Sequence, residues 1–337
     1  YAGETSTLSG TFPHFEVIVI GNIWAGSTPV PRFSTVGLTI RGINEKASLD
    51  LGILTVGLEF NVKFLEIRDL RLGAPTGLPS FINSSGLGNT VDRIKLKNLI
   101  QTSGTFETVV GHDVFEAPVS ELIVEDCSFT TRSLSSCTGG SGVGIPSVRV
   151  QNSTFTYAGA GAAAPRFVYS ALGPNNWNGS SFFMSNCKFP GSWGGSTAWT
   201  GGHSFLVASN VASNITIRDV TWVNGATPST NVCYLVNAPS ATTLISNFVM
   251  TSGTIPVAVS LSGSSIVENS TFSTTTPLNQ YAVTAHIVRS CTLNQQDIAA
   301  PGFSGSGIRP IGDNSKIEGN IVTGGYYVGI RNVLSTS

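Results

Sequence analysis

Val124-Glu125-Asp126-Cys127-Ser128-Phe129 and Val150-Gln151-Asn152-Ser153-Thr154-Phe155 carry one pattern twice. An aliphatic residue stands two places before Asp or Asn, and a large apolar residue stands three places after it. The pattern recurs at Ile67-Arg68-Asp69 with Leu72, Met184-Ser185-Asn186 with Phe189, Ile217-Arg218-Asp219 with Trp222, Ile245-Ser246-Asn247 with Met250, and Val267-Glu268-Asn269 with Phe272. Looser copies are Leu96-Lys97-Asn98, Val288-Arg289-Ser290 with Leu293, and Ile317-Glu318-Gly319 with Val322. Ile20-Gly21-Asn22 and Ile40-Arg41-Gly42 are read as two more at the start.

Each copy reads as strand, one-residue corner, strand. The residue two before the corner is aliphatic while its neighbour is mostly polar or charged, the alternation of a strand with one face in and one face out. Asn and Asp suit the corner because their short polar side chains tolerate left-handed φ and bond to nearby backbone; Gly319 meets the same need without a Cβ. From Asp69 the corners are separated by 29, 28, 26, 34, 33, 28, 22, 21 and 29 residues. Short strands joined by loops of variable length tolerate such spacing.

Phe129, Phe155, Phe189, Trp222, Met250 and Phe272 are expected to stack as an internal column, which requires parallel strands in register about 4.8 Å apart. Corner Asn side chains are expected to bond along the same axis. In the outward column Glu268, Arg289 and Glu318 fall on consecutive copies, as do Lys97 and Glu125, so opposite charges become lateral neighbours. An antiparallel sandwich accounts for the alternation but not for the fixed offsets. The fold expected is therefore all-β, a single-stranded right-handed parallel β-helix of about 10–12 coils. Residues 1–14 form an N-terminal cap or extension and 15–337 the β-helix, with longer loop excursions at about 102–120, 157–181 and 190–213.

Composition supports one repetitive domain. Charged residues are 11%, Gly numbers 38, and no linker-like break interrupts the chain. The net charge of −1 and the scattered Lys and Arg exclude a phosphate-neutralising surface, so nucleic acid is not an expected partner. No charge-free apolar run is long enough to span a bilayer, and the start at Tyr1 has no basic n-region before an apolar stretch; the chain is read as soluble and either processed or a fragment. Asn83, Asn152, Asn178, Asn214 and Asn269 open sequons, a frequent coincidence in so Ser- and Thr-rich a chain.

With its Asn-rich corners between two strands of each coil, the chain resembles the pectate-lyase-like right-handed parallel β-helix superfamily over about residues 15–331. The likeness is of architecture. It implies a pectin-degrading enzyme, a phage tailspike or tail fibre, or an adhesin, without assigning a reaction.

The chemistry such enzymes need is sparse. Glycoside hydrolysis uses two carboxyls at a set separation, yet no carboxylate occurs from Cys127 to Arg218, and only Glu268 lies between Val220 and Gln296. Arg93-Ile94-Lys95 and Gly111-His112-Asp113 resemble polygalacturonase triplets but come in reversed order without the acidic partners, and Arg93, Lys95 and Lys97 read as the solvent side of a strand. The acid–base candidates are Glu107, His112, Asp113 and Glu116, taken as one loop cluster. The candidates for binding carbohydrate or a partner are Trp177, Trp193, Trp199, Tyr157 and Tyr169, aromatic rings in Gly-, Asn- and Ser-rich excursions. No metal or cofactor is implied, and no zinc-type spacing exists.

Cys127, Cys187 and Cys291 share the position just after the corner with Ser153, Val220 and Ser270, and on non-adjacent copies they are expected to be buried free thiols. The β-helix is expected to need cover at its C-terminal end, from self-association as a trimer or filament or from a following domain. The functional expectation is an extracellular, cell-surface or virion component, structural or adhesive and contacting a polysaccharide or cell-surface glycan, with a polysaccharide lyase or glycoside hydrolase as the alternative.

Overall fold

The structure, a computed structural model, describes residues 14–24, 33–52, 57–83, 91–113, 119–138, 144–158, 167–170, 177, 179–193, 204–209, 211–224, 233–251, 253, 257–274, 281–295, 305–326 and 328–331. Among them there is no helix. Parallel strands stack as a solenoid of right-handed type. The chain divides into two compact units, Tyr1–Ala158 with Val168–Gly173, and Gly159–Phe167 with Pro174–Ser337. Each is built on the plan read from the repeat.

The repeat works because its corners turn the backbone. Asp69, Asn98, Asp126, Asn152, Asn186, Asp219, Asn247, Asn269 and Ser290 all have φ between 49 and 58°, and Gly319 has φ 61°. These are the ten corners expected from Asp69 onward, and left-handed backbone is what Asn, Asp and Gly tolerate best. The side chains also bond between coils: Asn98 Nδ2 donates to Asp69 Oδ1 (3.0 Å), Asn152 Nδ2 to Asp126 Oδ1 (3.1 Å), and Asn247 Nδ2 to Asp219 Oδ1 (2.9 Å). An ionised Asp only accepts, so each Asp corner gains from an Asn on the next coil.

In the first unit the strands before the corner are Phe15–Val19, Phe33–Gly42, Leu58–Gly73, Val91–Ser103, Val119–Glu125 and Ser147–Gln151. Their register aligns Val17, Ile40, Ile67, Leu96, Val124 and Val150. Val17, not Ile20, opens this column. Ile20 is 67% exposed, which corrects the first copy. After the corner, Phe129 lies opposite Phe155, their rings stacked with centroids 6.3 Å apart. In the second unit Met184, Ile217, Ile245, Val267, Val288 and Ile317 align, as do Phe189, Trp222 and Met250, and then Phe272, Leu293 and Val322. From Leu38 to Ile308 these columns and their neighbours form the buried core.

From Leu78 onward, the described residues include a third row of strands that the repeat did not announce. In the first unit this face holds Leu78–Asn83, Phe106–Asp113, the far half of Ser128–Thr138, and Val168–Ser170. In the second unit Ser204–Ala208, Cys233–Ala238, Val257–Leu261, Tyr281–Ala285, Ser306–Pro310 and Val328–Ile330 make a sheet of their own. Parts of the excursions set at 102–120, 157–181 and 190–213 are therefore strand. The first face hides its identity by pointing hydroxyls inward: Thr108, Thr131 and Ser133 are buried. They are satisfied locally, Thr131 Oγ1 donating to Ser133 O (2.7 Å) and Ser133 Oγ to Glu107 O (3.2 Å).

The position after the corner is a polar relay. Ser153 Oγ donates to Gln151 O (2.7 Å), Ser270 Oγ to Glu268 O (2.7 Å), and the thiols repeat the bond, Cys127 Sγ to Glu125 O (3.1 Å), Cys187 Sγ to Ser185 O (3.3 Å) and Cys291 Sγ to Arg289 O (3.3 Å). Ser153 Oγ and Ser270 Oγ also accept the backbone N–H of Cys127 and Phe248 on the preceding coil, both at 3.1 Å. Side chain thus replaces the ladder bond that the corner interrupts.

Cys127, Cys187 and Cys291 are buried and free, and burial pushes the Cys127 thiol up to about 12 and that of Cys291 above the usual thiol range. Only the thiolate reacts readily, so iodoacetamide applied to the native protein is expected to leave all three unlabelled by peptide mass mapping, and to modify them after denaturation. Rapid labelling of Cys127 without unfolding would contradict this packing.

Candidate functional site

The outward faces carry the charge, and among the described residues five ion pairs join neighbouring coils. Arg93 meets Glu121 (2.5 Å), Arg41 meets Glu16 (2.5 Å), and Arg289 meets Glu268 (2.5 Å) as the charge order of the repeat anticipates. The Arg41 guanidinium, through its hydrogen bond, holds the Glu16 carboxyl below its ordinary range. Lys97 and Glu125 are opposite in register, yet the ion pair of Glu125 is with Lys95 (3.6 Å), a diagonal neighbour within reach of a long side chain. The Arg93-Ile94-Lys95 triplet is thereby accounted for by strand-to-strand cohesion.

Three of the four acid–base candidates lie on strand and not in a loop. Glu107, His112 and Asp113 lie on the single strand Phe106–Asp113. At about 3.3 Å per residue, six residues of strand carry the backbone of Asp113 about 20 Å from that of Glu107, beyond the roughly 5–10 Å that separates paired glycosidase carboxyls. The backbones of His112 and Asp113 pair with Cys137 and Thr138; Glu116 lies outside the described residues.

What the fold does assemble around Glu107 is a different group. Register places Thr131 opposite Phe106 on one side and Tyr157 on the other. Arg132 on the middle coil reaches Glu107, its Nη1 2.6 Å from Oε2, with the two side chains 28% and 40% exposed. Tyr157, on the next coil, is half-buried, and burial raises its hydroxyl above the usual phenol range; Arg132 pulls it back and Glu107 pushes it further up. Glu107, Arg132 and Tyr157 thus form one cluster across three consecutive coils. Two of them come from separate candidate sets, and Arg132 was not singled out. Its signal is positional: it is the outward residue between the inward Thr131 and Ser133.

The aromatic candidates divide. Trp177 is fully buried with its ring 5.9 Å from that of Phe182, so it is core and cannot offer a face to a ligand, which corrects its assignment. Trp193 ends the strand Ser181–Trp193 and Tyr169 lies in Val168–Ser170, where its backbone pairs with Ser136. Trp199 lies outside the described residues.

No family model, curated protein or solved structure matches this chain. A salt-bridged carboxylate and guanidinium, both part-exposed, offer planar hydrogen-bond donors and acceptors, which suits vicinal hydroxyls; the hydroxyl of Tyr157 is itself buried. Among the described residues no group of three or more His, Cys, Asp or Glu side chains is placed to hold a metal ion, and no helix is long and apolar enough to cross a membrane.

Proposed function

We propose that this chain is a structural or adhesive β-helix of the pectate-lyase-like architecture, acting outside the cytoplasm or on a virion as part of a fibre, filament or adhesin. On this reading it touches glycan at Glu107 and Arg132, whose side chains are part-exposed. The observation that carries the reading is the use made of the carboxylates. Glu16, Glu107, Glu121, Glu125 and Glu268 each face a cation, in every case on a neighbouring coil. They hold outer faces together, whereas hydrolysis asks for two carboxyls poised across a sugar ring.

The test is incubation with a panel of acidic and neutral polysaccharides. Retention on a glycan without release of reducing ends or unsaturated products is expected, and Arg132→Ala, which removes a charged hydrogen-bonding group, should weaken retention at least about tenfold. Products that appear with the native protein and vanish in Glu107→Gln would replace this reading with a lyase or hydrolase.

A further inference from the structure

The two ends of the strand ladder fit one another. In the last coil, Lys316–Glu318, Ile321–Gly324 and Val328–Ile330 pair with the preceding coil on one side. In the first coil, Phe15–Val19 pairs with Phe33–Gly42 and Asn22–Trp24 with Ser48–Asp50. Among the described residues the opposite edges of these strands have no strand partner. The core columns run out there as well: Val288, Leu293 and Ile308 are fully buried, whereas their neighbours on the last coil, Ile317 and Val322, are half-buried and Ile330 is exposed.

Backbone direction fixes how such edges can meet. The N–H of Lys316 donates to His286 O and Glu318 O accepts the N–H of Ser290, so both residues face the preceding coil. In a parallel strand successive residues point their backbone groups to opposite sides, which turns the N–H and C=O of Ile317 to the open edge. At the other end Val19 O accepts the N–H of Ile43 inside the chain, which turns Glu16 and Ile18 to the open edge. Ile317 N–H can therefore donate to Glu16 O while Ile18 N–H donates to Ile317 O. This phase sets Ile317 over Val17, both members of the column two before the corner. It continues Val322 over Ile23, which aligns with Leu49 and Leu72 in the column after the corner. It also sets Lys316 directly opposite Glu16, continuing the pairing of opposite charges found between coils.

We infer that the last coil of one copy docks on the first coil of another by parallel strand addition, with Ile317 in register with Val17 and Lys316 facing Glu16. Because two different surfaces meet, the contact is heterologous and leaves a free end at each step, which builds an open chain of copies. Strand addition supplies affinity through main-chain bonds and the charge pair sets the register. This goes beyond the functional reading above and stands whether or not Glu107 and Arg132 contact sugar.

Sedimentation velocity of the full chain over a concentration series tests it. The native protein is expected to form species that grow with concentration without a fixed stoichiometry. Lys316→Glu, which sets a like charge against Glu16, should weaken association at least tenfold. Ile18→Pro, which removes only an edge-facing N–H, should do the same while leaving thermal stability nearly unchanged, since Pro is tolerated at a strand edge. Lys63→Glu, an exposed charge reversal elsewhere, should leave association as in the native protein. A strictly monomeric native chain, a closed trimer, or association indifferent to Lys316→Glu and Ile18→Pro would overturn the inference. None of these outcomes bears on glycan retention, so the two proposals fail separately.

Discussion

Phe129→Ala is expected to destabilise the first unit by about 3–5 kcal/mol, the cost of emptying a core Phe site. The ring is 1% exposed and sits among Phe81 and Phe106, with centroids 6.4 Å away, and Phe155 at 6.3 Å. Strands bonded in register on both sides keep the walls from closing on the space. In a stack where each coil meets only its neighbours, the loss should stay local. Hydrogen exchange should accelerate first in Phe106–Asp113 and Thr154–Tyr157, and the denaturation midpoint of this unit should fall. A loss below about 1 kcal/mol would mean that the column is not packed as described.

Gly104→Ala is expected to cost about 3 kcal/mol or more, combining left-handed strain with overpacking. At φ 70° a Cβ on Gly104 would lie 1.8 Å from Ala74 O and 2.8 Å from Pro75 O, so backbone must move. Gly77→Ala separates the two causes. Gly77 has φ 75° but nothing within 4 Å of an added Cβ, so its substitution should cost only the strain, about 1–2 kcal/mol. Parallel urea titrations of the two variants check the difference; equal losses would show that the close approach to Ala74 is not real.

The corners and columns were legible because two constraints coincide at each copy. A left-handed residue must be Asn, Asp, Gly or a small polar residue, and the flanking offsets must place apolar side chains inward. The first coil escaped because its turn has no left-handed residue at the expected place, and Ile20-Gly21-Asn22 imitates the pattern while Val17 fills the column. The third strands of the first unit escaped because Thr108, Thr131 and Ser133 point inward, which erases the apolar alternation that marks a strand. Trp177 was misplaced for a related reason: its Asn- and Gly-rich flanks read as an exposed loop, but fractional burial belongs to the fold and not to the neighbours in sequence. Of the candidate cluster, Glu107 and Tyr157 were visible one at a time. What joined them was the register across Thr131, and register is a property of stacked coils that no single stretch of sequence displays.

A crystal structure at side-chain resolution decides whether the coils stack in parallel. It should show Phe129 beside Phe155, and Phe189 beside Trp222, on parallel neighbouring strands, with left-handed φ at Asp126, Asn152 and Asp219. Antiparallel pairing of those strands, or Phe129 and Phe155 in separate environments, would contradict the stacked-coil account and the functional readings built on it.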